Sequence, residues 1–334
     1  MIGFIFLLLA ARQIYIIIKN GLTARQIREA NTGQGVLVLV EIKNSDHIDD
    51  TYLSRLESIK APHQLYLIAP LDHPQMLEFS SRGFMMANYN HQVEKAIDVI
   101  NRLSLETDCE SILVSDANIL FDSNGLFGLE KLLTDNKGPY YIVPQIYSEN
   151  ITIDCLFTLN PNLALISLFS FKRLTRSLRH PLLTMSEICI AYRKKDFELF
   201  PDHSNWKSSI LYDFRNRAIG LKLCFGEKFF SLYLKPDLAS LWQKMRKQWE
   251  VALKSKDYSA SSFFIQTLIW LFPVLFFELH PFYSIGIFLL LLIYRIFTFI
   301  IFQENILSLF VHPIAALMWL VSFGWNALDK VKKV

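Results

Sequence analysis

Apolar positions are distributed along this chain in two ways, as membrane-length runs at both ends and as short strand-length runs between them. Residues 2–18 are apolar apart from Arg12 and Gln13, a run at the lower edge of the roughly 17–25 residues that span a bilayer. Arg12 near its middle costs on the order of 3 kcal/mol, which snorkelling or a partner inside a helix bundle offsets. No basic stretch precedes the run, so it reads as a retained anchor rather than a cleaved signal. At the other end, runs at 262–279, 282–302 and 306–326 are broken by Glu278-Leu279-His280-Pro281 and Gln303-Glu304-Asn305, predicting about three C-terminal transmembrane helices. In the middle, Val36-Leu37-Val38-Leu39-Val40, Gln64 to Ala69 and Ser111 to Val114 are strand-length runs, the first of them continuous as in a strand covered on both faces. Helices are predicted between them, over 46–60 with Ser45 or Asp46 as cap and over 92–104. This alternation predicts an α/β domain with a mostly parallel sheet. Residues 151–240 carry the weakest pattern.

The resulting organisation is an N-terminal anchor over 1–19, an α/β domain over 34–237, an amphipathic helix over 238–258 and a membrane region over 262–327. The amphipathic stretch alternates apolar and basic residues around Trp242 and Trp249, the pattern of a helix lying on anionic headgroups. Lys19, Arg25 and Arg28 follow the first apolar run, and Arg246, Lys247, Lys254 and Lys256 precede the second, which places the central domain in the cytoplasm. After three further spans the tail Lys330-Val331-Lys332-Lys333 falls on the other side, against that trend, unless one segment is re-entrant.

Composition changes this picture little. The 334 residues leave room for one domain of roughly 200 residues beside the membrane segments. The net charge of +3, from 34 basic and 31 acidic residues, calls for no nucleic-acid partner. Cys109, Cys155, Cys189 and Cys224 lie far apart, with no zinc spacing, as expected for reduced thiols on the cytosolic side.

The chemistry concentrates where strands end. Ser115-Asp116-Ala117-Asn118 follows the run Ile112-Leu113-Val114, and in parallel sheets ligands bind beyond the carboxyl ends of the strands. Lys43, Asp72, Asp116 and Asn118 all occupy such ends. A carboxylate there suits a divalent cation carrying a diphosphate. The competing assignment for Asp116 is a helix cap or turn residue. Asp72 is a candidate hydrogen-bond acceptor for a ribose or uracil, or a turn residue before Pro74. Lys43 and Lys95 are candidates for phosphate or base contacts, or solvated surface lysines.

On these residues the chain resembles the family 2 type of membrane glycosyltransferases, in particular the ceramide glucosyltransferase and hopanoid-lipid glycosyltransferase group. The resemblance covers roughly 34–255 and rests on Glu41-Ile42-Lys43-Asn44-Ser45-Asp46, Leu71-Asp72-His73-Pro74, Lys95 at a helix start, Ser115-Asp116-Ala117-Asn118-Ile119 and Ala191-Tyr192-Arg193-Lys194-Lys195-Asp196. It implies a GT-A fold and inverting, metal-assisted transfer of a hexose from a UDP-sugar to a lipid acceptor. Mg²⁺ or Mn²⁺ would be held at Asp116. The family's acidic pair, whose aspartate is the base, falls here on Ser208 and Ser209. Asp213 is the nearest carboxylate and the candidate base, with Asp202 and His203 in the preceding loop. The family's Gln-x-x-Arg-Trp motif survives as Gln243-Lys244-Met245-Arg246, with Lys247 replacing the tryptophan and Trp249 two residues later. Gln243, Arg246 and Trp249 are accordingly candidates for donor contacts. The same departures support a rival expectation, a catalytically decayed relative serving as a scaffold among membrane-protein partners. The host membrane is bacterial inner membrane, or Golgi or endoplasmic reticulum.

Overall fold

The computed structural model describes residues 2–44, 48–59, 61–90, 92–136, 138–148, 189–202, 206–226, 229–235, 237–254, 268–302 and 307–331, with isolated residues at 150, 152 and 156. The chain divides into two compact units, one made of Ala24–Gln145 with Glu187–Tyr233 and the other of Met1–Thr23, Ile146–Ser186 and Leu234–Val334.

The first unit is built on an eight-stranded sheet. Its strands are β1 (Arg25–Gln26), β2 (Val36–Glu41), β3 (Gln64–Pro70), β4 (Met85–Tyr89), β5 (Ser111–Asp116), β7 (Tyr140–Val143), β9 (Cys189–Arg193) and β10 (Lys222–Phe225), in the spatial order β1-β10-β7-β9-β5-β2-β3-β4. Neighbours pair in parallel except at β9, which runs antiparallel to both β5 and β7. The expectation of a mostly parallel α/β sheet therefore holds. Every residue of β2 and β5 is buried, as central strands covered on both faces require. Gly35 launches β2 at φ +105°, and a Cβ there would collide with the Pro62 carbonyl. Only glycine combines that φ with so close an approach.

Helices α2 (Asp50–Leu56), α3 (Met76–Ser81), α4 (Ala96–Glu106), α5 (Ser123–Asn136) and α6 (Trp206–Asn216) connect or cover the strands. Helix α2 is shorter than the pattern predicts and opens on Asp49, whose carboxylate accepts the Thr51 N–H at 2.9 Å; Ser45 and Asp46 lie outside the described residues. Helix α4 starts four residues later than expected, because Val93 and Glu94 turn back onto the Asn90 carbonyl before the Lys95 N–H meets Asp98 Oδ2 at 2.8 Å. Beyond β5, β6 (Ile119–Phe121) pairs antiparallel with β11 (Phe230–Leu234). A further strand, β8, covers Gln145–Ser148.

The second unit is helical. Among the described residues two helices are long and apolar enough to cross a membrane: α1 (Ile2–Thr23), and α8 (Pro281–Phe302) over Pro281–Ile301. They lie side by side in the same direction. A Cβ on Gly3 would meet the Tyr283 ring at 2.7 Å, one on Gly286 the Leu7 Cδ1 at 3.2 Å, and one on Gly21 the Ile301 Cδ1 at 2.7 Å. Glycines at such positions let helix backbones approach closely. Buried Ser284, Ile287, Leu291, Tyr294 and Thr298 of α8 follow the alternating three- and four-residue spacing of a left-handed helix seam, and Arg295 beside them is buried as well. Residues 268–275 are helical and 276–279 form a turn; the start of the expected 262–279 segment, up to 267, lies outside the described residues. Helix α9 (Ser308–Val331) contains a shorter apolar stretch, Ile314–Trp325.

Helix α7 (Leu238–Lys254) buries Leu241, Met245 and Trp249 along one stripe. The Trp249 indole N–H donates to the Trp319 carbonyl of α9 at 2.9 Å, and its ring lies 4.8 Å from that of Phe323. A tryptophan whose spacing suggested a lipid boundary is instead fully buried against a neighbouring helix.

Candidate functional site

The sheet order identifies where its crevice opens. From β2 the chain steps outward through β3 to β4, then returns to the other side of β2 as β5. Helices cross in opposite senses on either side of such a reversal, which leaves a cleft beyond the strand ends. The last residues of β2 and β5, Glu41 and Asp116, are register partners there, with neighbouring strands roughly 4.8 Å apart. Two carboxylates are thus held side by side, and both are buried, with 8% and 6% of their surface exposed.

Helix α6 supplies their partners. Its first residue, Trp206, donates from Nε1 to Glu41 Oε2 at 2.9 Å. Its second, Lys207, ion-pairs through Nζ with Asp116 Oδ2 while remaining only 6% exposed. The ammonium also lies 5.6 Å from the centre of the Trp206 ring, within cation–π range. From the strand side, half-exposed Lys43 brings its Nζ to 3.9 Å from Asp116 Oδ1 and 3.8 Å from Glu41 Oε2. The positive end of the α6 dipole points the same way.

Burial pushes the Glu41 carboxyl above the usual carboxylate range, opposed most by Lys43 and then by Lys207 and the Trp206 hydrogen bond, while Asp116 adds to the rise. Buried polar side chains lie next to Asp116 on the neighbouring strands. Burial pushes the Cys189 thiol up to about 12, with Ser115 Oγ and Cys189 Sγ 3.3 Å apart. Burial, reinforced by the Asp116 charge, raises the Tyr141 phenol well above its usual range.

A tight turn seals the end of β5. The Ala117 N–H donates to the Glu41 carbonyl at 3.0 Å, the Asn118 carbonyl accepts from the Tyr233 N–H at 2.7 Å, and Asn118 sits at φ +69°. Asparagine is among the few residues that tolerate this conformation. The strand has ended at Asp116, so the two-residue alternation that would set Asn118 on its side does not extend through the turn.

Some of the other expected site residues gather near this edge. Asn44, next to Lys43, donates from Nδ2 to Asp72 Oδ2 at 3.1 Å, joining the turns after β2 and β3. Asp72 itself is exposed. Lys95 pairs with Asp202, Nζ to Oδ2 at 2.6 Å, both half-exposed. His203 lies outside the described residues. Asp213 is not brought to Asp116: it lies six residues beyond Lys207, about 9 Å further along the helix and about 240° around it. There it accepts Arg217 Nη2 at 2.7 Å, and Arg217 also reaches Glu198 at 3.0 Å. Gln243, exposed, and Arg246, half-buried, lie with Trp249 on α7 of the helical unit.

The residues at Asp116 do not fit a divalent cation. Hard-cation sites gather several oxygen ligands, whereas one Asp116 oxygen is paired with the Lys207 ammonium and the other faces Lys43. No group of three or more His, Cys, Asp or Glu side chains able to hold a metal ion occurs among the described residues. Glu41, Trp206 and Lys207 are the residues that sequence reasoning leaves without a role. The available signals are an acid closing an apolar strand and an aromatic-basic pair opening a helix.

No family profile matches the chain, and no curated relative matches it. Among solved structures it is similar to the mannosyltransferase PcManGT from Pyrobaculum calidifontis, in complex with GDP-Man and Mn²⁺, at 10% identity and TM-score 0.47 over 99% of this chain and 100% of that one. It is also similar to S. aureus TarS, at 11% identity and TM-score 0.36, where the match covers 70% of this chain but 42% of TarS. With TarS 1–349 in complex with UDP-GlcNAc the identity is 11% and the TM-score 0.37, over 90% of this chain and 92% of that chain.

Proposed function

We propose that this protein is a membrane glycosyltransferase of GT-A type that transfers a hexose from a nucleotide sugar, UDP-linked in the first instance, to a lipid hydroxyl with inversion. The observation that carries the reading is the charged cleft at the reversal of strand order, where Glu41 and Asp116 meet Lys207 and Lys43. A departing diphosphate needs fixed positive charge in a water-poor site. Two lysine ammonium groups, one buried and one half-exposed, offer it.

In this reading Lys207 and Lys43 receive the diphosphate, Asp116 orients Lys207, and Asp72 with Asn44 lines the nucleoside side of the cleft. Asn118 shapes the turn that carries Asp116. Lys95 extends the donor surface, while Gln243 and Arg246 are donor contacts on the strength of the resemblance alone. The resemblance to family 2 enzymes brings with it Mg²⁺ or Mn²⁺, but the donor set here does not suit such an ion. The lipid acceptor and a multi-pass arrangement, with α1 before the catalytic unit and about three spans after it, draw support from the two apolar helices. A cytosolic catalytic unit draws support from the basic residues flanking the first and second apolar runs.

The test is release of nucleoside diphosphate from radiolabelled UDP-sugars by the detergent-solubilised full chain. Release that requires added lipid alcohol and disappears in Asp116→Ala is the expected result. Hydrolysis indifferent to lipid, or turnover that survives Asp116→Ala, overturns the reading.

One observation favours a second reading, a nucleotide-sugar-binding scaffold without turnover. The carboxylate nearest to the family's base position, Asp213, is committed to Arg217. Donor binding without lipid-dependent release, together with co-purifying membrane partners, would select that alternative.

A further inference from the structure

Residues 25–28 follow α1 directly, yet the sheet holds them in place. Arg25 and Gln26 pair in parallel with β10, Ile27 is buried, and a Cβ on Gly128 of α5 would collide with the Arg28 carbonyl. Register therefore sets where the Arg25 side chain stands. Arg25 is the partner of Cys224, and Lys222, two residues earlier in β10, is the partner of Tyr140 in β7. Register partners project to one face of a sheet, as do residues two apart on a strand, so Arg25, Lys222 and Tyr140 share a face. The Lys222 ammonium lies 5.8 Å from the centre of the Tyr140 ring and donates to the Asn136 carbonyl. Tyr140 and Lys222 open their strands, and β7 points the same way as β5 because β9 is antiparallel to both. This face is thus at the end of the sheet opposite the cleft of Glu41 and Asp116.

Two features of it call for an anion. Burial lowers the Lys222 ammonium below its ordinary value, and the charges of Arg25 and then Arg193 lower it further. Arg193 is neutralised by Asp196 at 2.8 Å, whereas exposed Arg25 has no ion-pair partner among the described residues. The second feature is the Tyr140 hydroxyl, which is buried with no hydrogen-bond partner. Burial pushes this phenol up to about 12, with Cys224 adding to the rise and Arg25 opposing it, so it is an O–H donor at neutral pH. A buried donor without an acceptor is unfavourable. An orphaned hydroxyl beside a guanidinium, which carries five N–H donors, suits a phosphate group. The source of that phosphate follows from the chain. Thr23 ends α1 and Arg25 comes two residues later, at most about 8 Å away. Where α1 crosses a bilayer, its end lies among the headgroups.

We propose that this face binds the phosphate of an anionic phospholipid, with the Arg25 guanidinium and the Tyr140 hydroxyl as donors to its oxygens. Lys222 contributes its charge from beside them while keeping its own hydrogen bond. The site is assembled from three strands, so it differs from the diffuse attraction that any basic residue next to a membrane span exerts.

The experiment equilibrates the full-length protein in detergent with equal amounts of phosphatidylglycerol and phosphatidylcholine and counts the retained lipids by native mass spectrometry. Wild type is expected to retain phosphatidylglycerol in preference by about fivefold or more. Arg25→Gln, at an exposed position, should abolish the preference, and Arg25→Lys should keep part of it. Tyr140→Phe preserves the ring beneath Lys222 and should weaken retention about 2- to 10-fold, the worth of one neutral hydrogen bond. Arg28→Gln, at the next exposed basic residue, should change retention by less than about twofold. A second arm titrates inorganic phosphate alone by calorimetry and should show no saturable binding.

Absence of any preference in wild type overturns the proposal. So does equal loss from Arg25→Gln and Arg28→Gln, which would mean diffuse attraction only, and so does full retention in Tyr140→Phe, which would leave the buried hydroxyl without a part. Saturable phosphate binding that Arg25→Gln removes, with no preference between the lipids, overturns the lipid as the source. None of these outcomes touches the glycosyltransferase reading, which concerns the other end of the strands.

Discussion

Asp116 and Asp213 are both buried aspartates paired with a basic residue in or just beyond helix α6, yet they belong to different kinds of place. Asp213 meets Arg217 four residues on, in the turn that follows its own helix, a local pair that forms wherever that helix end forms. Asp116 sits at a strand end and meets Lys207 at the start of α6, only once the strands and α6 have assembled. The first pair fastens a helix surface; the second concentrates charge in a cleft where the fold gains least from it, since burying an ion pair rarely stabilises more than an apolar contact would. Charge kept at such a cost points to chemistry, and charge kept at none points to architecture.

The sharpest way to test that contrast is to break the cleft pair from one side. Asp116→Ala strands a buried ammonium and is expected to lower unfolding stability by about 3–5 kcal/mol. Adding Lys207→Met should return a large part of that loss, read as a coupling energy in a double-mutant cycle. If the double variant is as unstable as the sum of the singles, the two residues are not a functional unit. Next in size, Trp206→Phe removes the donor to Glu41 Oε2 and should cost about 1–3 kcal/mol in a denaturant titration.

Asp213→Asn should cost about 1 kcal/mol and leave nucleotide affinity unchanged. If it abolishes lipid-dependent turnover while sparing affinity, Asp213 regains the role of base and the contrast drawn above fails. The smallest effect belongs to the exposed Lys95–Asp202 pair. Lys95→Ala should shift stability by less than about 0.5 kcal/mol, and salt should erase the difference.

Strands β2, β3 and β5 were legible because each holds a short apolar run, and β2 buries all six of its residues; other strands, β4 and β10 among them, carry no such run and were not predicted. Asp116 was legible as the acid that ends β5. Lys207 was not. A lysine at the start of a helix reads as solvated, and its burial depends on a partner in a strand far away in the sequence. The same holds for Trp206, which lies 165 residues from the Glu41 it bonds. Strand β9 was not predicted, since it lies in the stretch of weakest pattern, and its reversed direction leaves no mark in composition. Trp249 shows the opposite failure, since a tryptophan among basic residues fits either a lipid boundary or a helix contact. Only the presence of Trp319 and Phe323 on α9 decides between them.

The shared direction of α1 and α8 imposes a parity on the chain. If both helices traverse a bilayer, the polypeptide that leaves the far end of α1 must return to the starting face before α8 begins, so an odd number of traversals lies between residues 23 and 281. Residues 268–275 are placed for the return leg, with Trp270 5.8 Å from Tyr294 and Phe272 stacked at 4.7 Å on Phe6 near the start of α1. The lysine-bearing tail then ends on whichever face α9 chooses, and that one helix determines whether the protein presents its last charges beside its first residues or across from them.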